Sequence, residues 1–268
     1  MRSWCAAAVG AMLAATIGVE AQWLNYPTPD VPRLADGSPN LAAPAPRTAD
    51  GKVDLSGIWQ LEPTPCGTGG CTDYPGAPEF ANLGRKLAGG LPYQPWAADL
   101  VKKRSADLGR DDPVALCRPG GALRILTFPP YRKFLQLPGL FVVLSERDVT
   151  FRQIFTDGRP LPADPTPTWN GYSTGRWEGE ALVAQTVGLR DGTWLDRAGS
   201  PMTDAARMTE RFRRVSFGRL EIDVTIDDPK AYTRPWTVTL VQRIVLDTDL
   251  LDYHCNDNEK DTAHMIFK

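Results

Sequence analysis

The chain has 268 residues and a formal charge of −2, with 30 Lys and Arg against 32 Asp and Glu. That balance provides no clustered basic face of the kind nucleic-acid binding requires. The length suits one large β domain with a long lead-in.

Residues 1–21 read as a cleavable signal peptide. Arg2 precedes a run of small and apolar residues from Ala6 to Val19, shorter than the roughly 18–20 residues a membrane anchor needs. Val19 and Ala21 form a small-residue cleavage pattern ahead of Gln22. Cys5 lies before the apolar run, which argues against a lipoprotein. The expected location is periplasmic or extracellular, with no membrane span in the mature protein. Residues 22–53, rich in Pro, Ala and Asp, read as an extended arm whose protein partner the sequence does not identify. Residues 54–268 are expected to form a single β-barrel domain.

Cys66, Cys71, Cys117 and Cys255 remain after processing. An even number in an oxidising compartment suggests two disulfides, with three possible connectivities. The glycine-rich Cys66–Cys71 loop could close on itself, leaving Cys117 to meet Cys255. Zinc is the rival use of four cysteines, but no C-x₂-C pair is present and the only histidines are His254 and His264. No metal and no cofactor is expected.

Gln94–Leu108 is the one plausible helix. Pro95 suits its first turn, and Trp96, Leu100, Val101 and Leu108 share a face that Arg104 interrupts. Beyond Leu123 the hydrophobic period changes to two. Candidate strands are Lys133–Leu137, Leu140–Glu146, Thr150–Phe155, Thr174–Trp177, Ala181–Val187, Met208–Val215, Leu220–Ile226, Thr237–Leu246 and Leu250–Cys255. Short turns such as Pro138-Gly139 and Ser216-Phe217-Gly218 join antiparallel neighbours. The predicted fold is mostly β: an antiparallel up-and-down barrel, lipocalin-like, with one helix and a long irregular N-terminal region.

Alternation assigns faces within the later strands. Arg211 and Arg213 should pair with Glu221 and Asp223 as an outer ladder, which turns Glu210 inward with Met208 and Phe212. Two longer connections, Thr156–Ser173 and Gly188–Arg207, carry Trp169, Tyr172 and Trp194. Long loops on a rigid scaffold are where binding residues concentrate.

Two resemblances bear on the fold. Gly57-Ile-Trp59 on the first strand, taken with Arg243 on a late strand, resembles the Trp–Arg latch of lipocalin-type barrels, in which a guanidinium stacks on the indole. Further motifs are Asp54-Leu-Ser-Gly-Ile-Trp59, Gly175-Arg-Trp-Glu-Gly-Glu-Ala-Leu-Val183, Thr209-Glu-Arg-Phe-Arg-Arg214 and Thr225-Ile-Asp-Asp-Pro-Lys-Ala-Tyr-Thr233. These resemble an uncharacterised family of exported bacterial proteins, a likeness that implies export and a shared fold but no activity. Relatives in that family commonly carry histidine where Leu161 stands and Pro-His-Ser where this chain has Pro201-Met-Thr203. This departure weighs against any histidine-based mechanism.

No nucleophile elbow, phosphate-binding loop or dinucleotide fingerprint is present. Chemistry would therefore rest on carboxylates, tyrosines and arginines. Glu210, Asp196 and Asp157 are the candidate catalytic groups, and Trp169, Tyr172, Arg176, Trp194 and Arg152 the candidate ligand-binding ones. Each has a plainer alternative. Asp157-Gly158 is a good turn former, and Glu210 could be half of a structural ion pair with Arg152. Three functions follow from this pattern. The first is a secreted barrel that binds an apolar or amphipathic small molecule. The second is a carboxylate-dependent lyase, isomerase or hydrolase for a sugar-like or terpenoid-like substrate. The third is a structural envelope protein.

Overall fold

The structure, a computed structural model, describes residues 26–62, 78–147 and 149–255. The expected signal peptide and the expected Cys66–Cys71 pair lie outside the described residues. Nine strands close into a barrel: β1 (Gly57–Leu61), β2 (Arg132–Leu137), β3 (Leu140–Ser145), β4 (Thr150–Phe155), β5 (Tyr172–Glu178), β6 (Ala181–Val187), β9 (Arg207–Ser216), β10 (Arg219–Asp227) and β11 (Trp236–Val245). A separate two-stranded ribbon, β7 (Thr193–Trp194) and β8 (Pro201–Met202), lies in the β6–β9 connection. Around the barrel the order is β1, β11, β10, β9, β6, β5, β4, β3, β2.

The barrel is not purely antiparallel. β4 and β5 run parallel, paired only through Ile154–Ser173 and Phe155–Thr174. Strand parity explains this. Directions that alternate around a closed ring need an even number of strands, so a nine-stranded ring must hold at least one parallel pair. The connection from Thr156 to Gly171 is long enough to carry the chain back to the starting end, as a parallel crossover requires.

Leu250–Cys255 is not a strand, although Tyr253 makes an isolated bridge with Arg147. β1 closes the ring instead, pairing with β11 on one side and β2 on the other. Helix content also exceeds the single helix expected: the described residues hold α1 (Pro78–Ala81), α2 (Pro95–Ala106) and α3 (Gly121–Thr127), with a 3₁₀ turn at Leu83–Lys86 between the first two. Every residue of α3 is buried, so it carries no amphipathic period to be read. The expected apolar stripe on α2 is not its packing face, since Trp96 is 46 % exposed and Leu108, beyond the helix, 88 %. Ala97 is buried instead, and Arg104 reaches over the Trp194 ring at 4.3 Å to donate to the Gly199 carbonyl.

Side chains fill the barrel. Phe134, Phe141 and Phe212 pack with ring centroids 5.3–6.1 Å apart, and Trp59 lies 6.4 Å from Phe134. At one end the N-terminal arm docks on the barrel: Phe217 and Gly218 amides donate to Ala43 and Leu41, and Gln136 bonds to Val53 and Leu55. At the other end Arg132, fully buried, donates to the carbonyls of Leu126, Phe128 and Pro130 and fixes the C-terminus of α3. Desolvation pulls its guanidinium down to about 9.

Arg243 is not the partner of Trp59. It lies on the outer face of β11 and donates to Gln60 at 2.7 Å, because Leu240 and Gln242 occupy the inward positions of that strand. The guanidinium over Trp59, at 5.0 Å, belongs to Arg214 on β9. Arg214 also stacks on Phe217 at 5.2 Å and donates to the carbonyls of Asp54, Ser56, Ser216 and Phe217. The expected outer ladder is present in part: Arg213 faces Glu221 in register and bonds to it at 2.6 Å, with Asp223 at 3.9 Å, whereas Arg211, opposite Asp223, pairs with Glu178 at 2.8 Å.

Candidate functional site

The parallel seam is the weakest part of the barrel wall. Six residue pairs join β3 to β4, whereas two join β4 to β5. Before Ile154 the strands diverge, and the chain entering β5 lies across the opening. Asn170 bridges it by donating Nδ2 to the Phe151 carbonyl at 2.9 Å. Gly171 makes the tight entry possible at φ +63°, where a Cβ would meet Thr186 Cγ2 and the Val187 carbonyl at 2.7 Å.

The result is an open groove of about 620 Å³. Phe151, Gln153 and Phe155 form one wall, and Thr168, Trp169, Asn170 and Tyr172 the other. Phe151 is 60 % exposed. Its exposure follows from strand alternation, which sends Arg152 and Ile154 into the barrel and Phe151, Gln153 and Phe155 outward. Phe155 stacks on Tyr172 with centroids 5.3 Å apart, and Arg159 covers the Phe155 ring at 4.0 Å. Arg190 lies 4.9 Å from the Trp169 ring. The two long connections hold each other, since the Thr168 amide donates to Gly188 and the Arg190 amide to Thr168.

Arg152 and Ser173 also line this groove, although both are buried. Behind it, inside the barrel, Arg152 and Glu210 form a two-pronged ion pair: Nη1 donates to Oε1 at 2.7 Å and Nη2 to Oε2. The same guanidinium donates to Ser173 Oγ and to Thr186 Oγ1, and these two hydroxyls bond each other at 2.9 Å. Each charge is therefore compensated and its remaining hydrogen-bonding capacity largely used. Held this way, Glu210 presents neither oxygen to the groove as an acid or base.

The other candidate carboxylates lie in separate networks. Asp196 is fully buried and accepts from the Leu83 and Ser200 amides at 3.0 Å and from Ser200 Oγ at 2.8 Å. It ties the β7–β8 ribbon to the 3₁₀ turn, and burial pushes its carboxyl above 3.8. Ser200 Oγ in turn meets the Tyr93 hydroxyl at 2.7 Å, and desolvation pushes that phenol up to about 12. Asp157 is exposed and is gripped by Arg159, whose hydrogen bonds hold its carboxyl below the ordinary value. Arg159 also reaches the Tyr172 hydroxyl at 3.4 Å, so Asp157 sits beside the groove without lining it.

Among the candidate ligand residues, Trp169, Tyr172 and Arg152 meet in the groove. Trp194 is buried under Arg104, and Arg176 pairs with Glu178 on the outer surface. Cys117 and Cys255 form a disulfide. Phe151, Gln153, Phe155 and Asn170 were not anticipated as site residues. The first three were accessible through the alternation of β4, which puts two phenylalanines on the face opposite Arg152 and Ile154. Asn170 carries no such signal. Comparison with protein-family models, curated proteins and solved structures finds no match for the chain.

Proposed function

We propose that the chain is an exported small-molecule-binding barrel whose apolar or amphipathic ligand lies in the groove between β4 and the strand-entry segment of β5. The supporting observation is the groove itself, with a volume inside the usual range for ligand sites and walls of Phe151, Phe155, Trp169 and Tyr172. The aromatic cluster in the lumen favours a site in the wall over one on the barrel axis. The Trp59–Arg214 stack supports a lipocalin-like reading of the scaffold. The disulfide supports an oxidising compartment.

Tryptophan emission and native mass spectrometry of the protein recovered from an exporting host test this reading. A co-purified small molecule is expected, and its retention should fall at least tenfold in Trp169→Ala and Phe151→Ser. Retention unchanged in both variants would place the ligand elsewhere and refute the assignment of this groove.

A further inference from the structure

We infer that the occupant of the groove is an uncharged carbohydrate chain, an inference that rests on the ligand-binding reading above. The argument begins with charge. Among the described residues that line the groove, Arg152 alone is charged, and Glu210 neutralises it from inside the barrel. Inside this lining neither a carboxylate, a phosphate nor an ammonium group finds an available counter-charge; of the two guanidiniums on the wall rings, Arg159 is held by Asp157, and Arg190 lies on the Trp169 ring outside the lining. An ionic ligand would therefore lose hydration without a compensating partner.

Chemistry of the walls narrows the class further. Aromatic rings alternate with neutral hydrogen-bonding groups: Phe151 and Phe155 flank Gln153, while Trp169 and Tyr172 flank Asn170 and Gly171. Phe151, 60 % exposed, offers the open stacking face, since Phe155 is covered by Tyr172 and Arg159. A pyranose ring has this dual character, with an apolar face of C–H groups for stacking and an equatorial rim of hydroxyls for amides. Asn170 gives a specific pointer. Its Nδ2 is committed to the Phe151 carbonyl, while its buried Oδ1 has no hydrogen-bond partner among the described residues. An acceptor left in this state is costly; the oxygen is closed to solvent, so a ligand hydroxyl would reach it only with a shift of the Asn170 segment.

Shape separates a sugar chain from a fully apolar molecule such as a terpenoid. The groove is open along its length, and the lumen that would enclose an apolar ligand is filled by Phe134, Phe141 and Phe212. A hydrocarbon lying in the groove would leave much of its surface in water, against the burial from which its affinity would come. A sugar chain keeps its outer hydroxyls hydrated while one face stacks. The six residues of β4 span roughly 17–20 Å, room for several linked rings.

The test uses the intact protein in a titration followed by tryptophan emission and calorimetry. The probes are an array of neutral hexasaccharides, an oligogalacturonate as a charged control, and a neutral steroid. At least one neutral oligosaccharide should saturate, with the oligogalacturonate at least tenfold weaker. Affinity for that sugar should fall at least tenfold in Phe151→Ala and in Gln153→Ala, both exposed positions whose substitution leaves the melting temperature near that of the parent. Saturation by the steroid with no response to any sugar would overturn the carbohydrate inference and leave the groove as a ligand site. Silence from every probe would overturn both, and sugar binding insensitive to both substitutions would overturn the inference by moving the site elsewhere.

Discussion

The buried pair of Arg152 and Glu210 permits a sharp prediction about Glu210→Gln. The two side chains are 1 % and 0 % exposed, so water cannot replace a lost partner. Glutamine keeps the shape of glutamate and one acceptor oxygen, but it leaves the guanidinium charge uncompensated. Removing one member of such a pair costs about 3–5 kcal/mol. For a chain of this size that corresponds to a fall of about 6–20 °C in melting temperature. Removing both charges should behave differently. In Arg152→Met/Glu210→Leu the pocket becomes apolar, and the Ser173 and Thr186 hydroxyls, 2.9 Å apart, can still satisfy each other. That double variant is expected within about 1 kcal/mol of the parent, because the desolvation cost of the two ions disappears along with their attraction. Urea denaturation of the parent, Arg152→Met, Glu210→Leu and the double variant gives the coupling energy, provided the dependence on denaturant stays constant. A Glu210→Gln variant within about 1 kcal/mol of the parent would refute the reasoning. It would mean that water reaches the pair.

Reducing the Cys117–Cys255 disulfide, which closes a loop of 138 residues, should lower stability by about 2–4 kcal/mol, and a melt unchanged by reductant would contradict this. Arg214→Ala should cost about 2–3 kcal/mol through lost charge-assisted bonds to buried carbonyls, whereas Arg243→Ala should stay within about 0.5 kcal/mol at its exposed site; the reverse order in thermal melts would restore Arg243 as the latch. Asp196 makes a pH prediction. Burial raises its folded carboxyl above 3.8, so between the unfolded and folded values the folded chain holds a proton that the unfolded chain has released. Its contribution is therefore complete below pH 3.8 and lost as pH rises through the folded value. The melting temperature of the parent relative to Asp196→Asn should fall as pH is raised from 4 towards 7, and a rise would mean that its three donors hold the carboxylate ionised.

Period-two alternation made most of the barrel legible because each strand buries one face. β9 and β10 follow it residue by residue, and the inward turn of Glu210 came from that alone. Arg243 was misread because likeness to a latch outweighed the alternation that places Gln242 inside and its neighbour out. α3 left no trace because a helix buried on all sides has no polar face. The Leu250–Cys255 segment is apolar enough to resemble a strand, but β1 already occupies the edge of β11 it would need. Asn170 and Gly171 were invisible as site residues, since their roles depend on which strands a long connection joins.

Parity links the topology to the groove. Nine strands cannot alternate around a closed ring, so one seam has to be parallel, and here it falls where the longest unbroken connection between consecutive barrel strands returns to the starting end. A parallel pair with two registered positions leaves the wall open beneath it, and the incoming segment lays Trp169, Asn170 and Tyr172 across the gap. The charged pair behind the seam fits the same account. Arg152 anchors β4 to β5 through Ser173, to β6 through Thr186 and to β9 through Glu210. Side chains therefore join the strands at the place where the backbone ladder is shortest. If so, substitutions that weaken this cluster should loosen the β4–β5 seam before they loosen β9–β10, whose nine registered pairs meet the cluster only at Glu210–Val224. Amide exchange in β5 should accelerate in Arg152→Met while exchange in β10 stays near the parent rate; equal acceleration in both strands would show that the cluster stabilises the barrel as a whole and has no special part in closing the seam.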